Sequence, residues 1–69
     1  MDDAKLVRAA NQIAAFYAPY PREEALAGIA EHVQKFWEPR MRRRFADLIA
    51  AGGEGIDQMV RDSWPRVRV

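Results

Sequence analysis

Helix breakers divide this chain more firmly than any other feature of its sequence. Pro19 and Pro21 fall in "APYPREE", Pro39 in "KFWEPRMRRRF", Gly52-Gly53 in "AGGEG" and Pro65 in the closing "WPRVRV". Proline lacks an amide hydrogen and clashes with the preceding turn, and a glycine pair favours a helix C-terminus, so helices should start or stop at these points. Each segment between them carries an apolar line at helical spacing. The expected fold is all-α, a small bundle of three main helices plus a short C-terminal helix. Those helices are expected over about 3–18, 21–37, 39–51 and 56–64 of a single domain, 1–69, with an extended or frayed tail at 65–69.

In the first segment Leu6, Ala10, Ile13 and Tyr17 form the main stripe, with Phe16 and Ala9 on its flank. Val7, Asn11, Ala14 and Ala18 form a second stripe at the same spacing, and only Lys5, Arg8 and Gln12 clearly ask for water. A helix of low polarity on two sides touches more than one neighbour, and in so small a chain one neighbour can be another protein. Asp2 or Asp3 is placed to cap this helix. In the second segment Pro21 suits a first turn, and Glu23 and Glu24 suit its positive end. Leu26, Ile29, Ala30, Val33, Phe36 and Trp37 make the buried arc, with Glu24, Glu31 and Lys35 opposite. Gly28 falls on that outer side, at a cost of about 1 kcal/mol against alanine. It reads as a tolerated weak spot or, more sharply, as a place where a partner's backbone comes close. Met41, Phe45, Leu48 and Ile49 give the third helix its apolar face. Ile56, Met59, Val60 and Trp64 do so for the fourth, with Pro65 stopping it.

A chain of 69 residues buries only about 60% of the surface its unfolded form exposes, so it needs regular helix packing, a cross-link or a partner. It has no cysteine, which excludes disulfides, zinc–thiolate sites and iron–sulfur ligation. A single histidine, His32, argues against a zinc site and reads as a partly buried or surface side chain. No apolar run reaches the eighteen or so residues that cross a bilayer, and the acidic start lacks a signal-peptide core. The expectation is a soluble, cytoplasmic chain without metal or cofactor ligands of its own.

Formal net charge is +1, which argues against a nucleic-acid binder, yet nine of the eleven cations are arginine. Four of them, Arg40, Arg42, Arg43 and Arg44, surround Met41 at the start of the third helix, where positive charge opposes the helix dipole. Asp47 lies within reach of Arg43 and Arg44 by spacing. The patch reads either as a solvated helix face, as phosphate contacts, or as a protein interface. Arginines around Phe36, Trp37 and Met41 match interface hot spots, so the last reading leads. Asn11, on the second stripe of the first helix, joins the partner-binding candidates. Reversing charge at Arg42 and Arg43 is expected to weaken association and leave the fold intact. No catalytic constellation emerges: Ser63 is the only serine, and "GGEG" lacks the spacing of a dinucleotide or phosphate loop.

"LVRAANQIAAFYAPYP", "GIAEHVQKFWEPRMRRR" and "AGGEGIDQMVRD" together resemble the delta subunit of NAD-dependent, molybdenum-containing formate dehydrogenases. The resemblance covers nearly the whole chain. Its most specific pieces are Ala10-Asn11-Gln12-Ile13, His32, Phe36-Trp37 and Pro39-Arg40-Met41-Arg42, while Ala9 and Gln58 depart from the family's pattern. The resemblance implies a non-catalytic accessory subunit that binds the large alpha subunit. That subunit would carry the molybdenum cofactor and iron–sulfur clusters, and beta and gamma subunits would carry FMN, further clusters and the NAD chemistry. A transient assembly chaperone for the large subunit is the alternative, a nucleic-acid-binding regulator is a weaker one, and homodimerisation in isolation stays open.

Overall fold

The computed structural model describes residues 2–69, which form four α-helices and one 3₁₀ turn, with no strand among them. Helix α1 (Asp3–Tyr17) opens on Asp2, whose carboxylate accepts from the Ala4 amide at 2.9 Å. Pro21 stands just ahead of α2 (Arg22–Phe36), and Glu23 and Glu24 occupy its first turn. Pro39 opens α3 (Pro39–Ala50). That helix ends when the Gly53 amide donates to the Leu48 carbonyl at 3.0 Å and the Gly52 amide to the Ile49 carbonyl at 3.1 Å. This Schellman closure needs left-handed backbone after the last turn, and φ is 123° at Gly52 and 64° at Gly53. Asp57 then caps α4 (Gln58–Ser63) through the Met59 amide.

The bundle of three main helices and a short fourth is the architecture that the breakers predict. Several details differ. Helix α4 is shorter than 56–64, because Ile56 is already buried in the turn that precedes it. Pro65 does not stop the chain's winding: it sits in the opening of the 3₁₀ turn Trp64–Arg66, where a missing amide hydrogen leaves no bond unmade. The end of the chain is neither free nor frayed. Val67 packs against the core, and the Arg68 backbone is tied on both sides to the Gln34 side-chain amide, at 2.7 and 3.1 Å.

Phe45 lies at the centre with no exposed surface, edge-on to Trp37 at 5.4 Å and 4.9 Å from Trp64. Leu6, Ala10 and Ala14 of α1, Ile29 and Val33 of α2, and Val60 of α4 belong to the same buried cluster. Phe36 is the exception to the predicted arc, being 70% exposed. Helix α2 ends at Phe36, and Trp37 leaves in an extended conformation that carries its indole into the core, so the arc is completed by Trp37 alone. The expected outer position of Gly28 is also corrected. A Cβ there would stand 2.6 Å from Cζ and 2.9 Å from Cδ1 of Tyr17, and closer still to Cε1. The close approach is therefore made by the chain's own α1. The radius of gyration, 10.8 Å, equals the roughly 11 Å of a compact domain of this length.

Candidate protein interface

The eight residues singled out for partner binding separate into two groups. Four have internal duties. The Asn11 amide donates to the Gly55 carbonyl and accepts from the Asp57 amide, both at 2.9 Å, so it pins the α3–α4 turn to α1. Trp37 is 7% exposed. Arg42 is half-buried, and its guanidinium donates to the carbonyls of Trp37, Gln34 and Arg68, tying the end of α2 and the C-terminal segment to α3. Arg44 donates to both carboxylate oxygens of Asp3, at 2.9 and 2.7 Å, and joins α3 to the start of α1. These hydrogen bonds hold the Asp3 carboxyl below the usual carboxylate range and raise Arg44. Asp3 is thus the direct partner of Arg44, and Asp47 adds only a lesser Coulomb pull.

The other four face outward wholly or in part. Phe36, Arg40 and Arg43 are exposed, and Met41 is half-buried against the core. Helix α3 begins without a side-chain cap from Glu38 and without an acidic residue in its first turn. Arg40 therefore adds to a positive helix end that nothing within the helix offsets.

An apolar groove runs along α1, lined by Met41 alone of these four residues, and periodicity alone did not reveal it. One cavity of about 490 Å³ is lined by Ala9, Ile13, Phe16 and Tyr17 of α1, with Trp37 opposite and Gln12 and His32 as its polar edge. A second of about 470 Å³ lies between Leu6, Ala9, Met41, Lys5 and Asp2. Ala9 lines both. Phe16 is 65% exposed, and the exposed Phe36 ring lies tilted against His32 at 4.9 Å, so large apolar rings stand at this surface uncovered. The signal in the sequence was the small Ala9 on the flank of the main stripe: an alanine leaves open space where a larger side chain would fill it.

Residues 5–63 match the family model described as NADH-dependent formate dehydrogenase delta subunit FdsD. The chain belongs to this family. No curated protein and no solved structure matches it. The match to the delta-subunit family takes in the groove apart from Asp2 and stops short of the Arg68 tether. Among the described residues of this family member, no group of three or more His, Cys, Asp or Glu side chains could hold a metal ion. No helix there is long and apolar enough to cross a membrane.

Proposed function

We propose that this chain is a non-catalytic accessory subunit of a cytoplasmic NAD-dependent formate dehydrogenase. In this reading it supports assembly, stability or activity of the holoenzyme by binding the molybdenum-containing alpha subunit, with beta and gamma subunits in the same complex. The molybdenum cofactor, the iron–sulfur clusters, FMN and the NAD site belong to those larger chains. Family membership over residues 5–63 carries the proposal. The uncovered Phe36 ring, with Met41 and the exposed Arg40 and Arg43 nearby in the chain, has the composition of a protein interface, and Phe16 adds a second uncovered ring on α1. Affinity capture of the tagged chain from its native extract, followed by size exclusion and subunit counting, tests it. Recovery in fixed ratio with a complex that reduces NAD with formate is the expected result. Recovery only with cofactor-free large subunit would instead indicate a transient assembly chaperone.

A further inference from the structure

We infer that the groove along α1 seats an amphipathic helix of a partner subunit, apolar on the face it lays down and acidic at the end that meets Lys5 and the start of α3. The inference depends on the accessory-subunit reading for the existence of a partner. The groove itself supplies the partner's shape and chemistry.

Shape comes first. Lys5, Ala9, Gln12 and Phe16 stand four, three and four residues apart, so the groove follows one face of α1 from Lys5 to Phe16. At 1.5 Å per residue that is about 17 Å, the length of three helical turns. Ala9 lines both cavities, so two sockets lie next to each other along the same helix. One socket is walled by the rings of Phe16, Tyr17 and Trp37, the other by Leu6 and Met41. Two apolar sockets spaced along a groove of helical length fit side chains projecting from successive turns of one helix.

Charge supplies the rest. Lys5 lines the second socket and takes part in no ion pair among the described residues. Arg40, next to Met41, is equally unpaired, and the uncompensated α3 N-terminus lies beside it in the chain. The carboxylates at this end are already engaged: Asp2 accepts from the Ala4 amide and Asp3 is held by Arg44. Glu38, exposed just before α3, reduces the local positive charge but forms no ion pair with either cation. Gln12 and His32, at the other socket, offer hydrogen bonds in place of fixed opposite charge. The complementary helix therefore carries its carboxylates at the Lys5 end. A second copy of this chain fits less well, since its groove would bring a single carboxylate, Asp2, with one oxygen already capping α1, against both Lys5 and Arg40.

The chain has only two lysines, Lys5 and Lys35, which makes the test specific. Treating the intact purified complex with a zero-length carbodiimide joins a lysine amine to a carboxylate in direct contact. The expected product links Lys5 to an Asp or Glu of a partner segment whose apolar residues recur at intervals of three and four, with Lys35 left unlinked. Lys5 left unlinked, or linked to another copy of this chain, overturns the inference. Two variants provide an independent readout. Ala9→Trp fills the junction of the sockets and should weaken association at least about tenfold, the equivalent of about 1.4 kcal/mol. Lys5→Glu changes an exposed side chain and should weaken it about fivefold while reducing its salt dependence. If Lys5→Glu, with circular dichroism and melting unchanged, binds as well as the native chain, the charge match is wrong. Failure to co-purify with formate dehydrogenase subunits would sink the accessory-subunit reading and this inference together. Co-purification with α1 amides exchanging as fast as in the free chain would sink this inference alone.

Discussion

At the scale of single residues, Gly28 and Arg42 carry structural roles that their sequence neighbourhoods conceal. Exposed helical glycine normally weakens a helix, and replacing it with alanine gains about 1 kcal/mol. Here the added methyl would collide with the Tyr17 ring, which is itself held by Phe16 at 5.0 Å and Tyr20 at 5.3 Å. Gly28→Ala should therefore lower stability, by about 1 kcal/mol or more. In a Tyr17→Ala background the same substitution should raise it by about 1 kcal/mol, a reversal that a double-mutant cycle in urea would show. Arg42 differs from its neighbours in the same way. Its guanidinium donates to three backbone carbonyls, and charged hydrogen bonds contribute about 1.5–3 kcal/mol. Arg42→Glu should thus destabilise the fold by at least about 2 kcal/mol, whereas Arg40→Glu and Arg43→Glu should leave the urea midpoint within experimental error and weaken partner binding. The sequence placed Arg42 at the border of the apolar face but could not show its bonds, because its acceptors lie five, eight and twenty-six positions away along the chain. For the same reason the opposing partner of Gly28 was invisible: Tyr17 meets it across an interhelical contact, outside the reach of any local pattern.

At the scale of elements, the breakers and the apolar lines made the helices legible, and the ties between helices were not. Proline, the Gly52-Gly53 pair and the Asp2 and Asp57 caps act locally, so the sequence displays them. Which surface ion pairs form depends on how the helices come together. Arg44 meets Asp3 across α3 and α1, Arg22 meets Asp62 across α2 and α4, and Arg66 meets Glu23. The Asp3 carboxyl is lowered chiefly by its hydrogen bonds to Arg44, and Asp62 by those to Arg22 and then Gln58. Both carboxyls therefore hold protons less tightly in the folded chain than in the unfolded one. Their contribution is fully present above the ordinary aspartate value of about 3.9 and is lost as pH falls through the lowered folded values. Melting temperature should fall as pH drops below about 4, and by less in the Asp3→Asn, Asp62→Asn double variant. Exposed pairs are screened by salt, so repeating the comparison at about 0.5 M salt should narrow the gap between variant and native chain.

At the scale of the whole molecule, the accessible surface is that of a compact domain. The accessible surface is 4462 Å², against about 4400 Å² for a compact monomer of this mass. The area is that of a compact monomer with its core closed around Phe45 and the groove on its surface. A standard interface buries about 800 Å² on each partner, close to a fifth of this surface. Few positions on so small a molecule lie far from such a contact, and binding should register throughout it. A partner present at a hundred times its dissociation constant adds about 2.7 kcal/mol to stability. For a domain of 60–100 residues each kcal/mol moves the melting temperature by about 4–8 °C, so the bound chain should melt more than about 10 °C above the free one. Hydrogen exchange followed through the Val33 and Phe45 amides, deep in the core, reports that gain as slower global opening. Equal exchange of these two amides in the free and bound chain would mean that the contact adds no stability. Selective slowing along α1, with the core amides unchanged, would mean that the partner damps local opening of the groove helix without stabilising the fold beneath it.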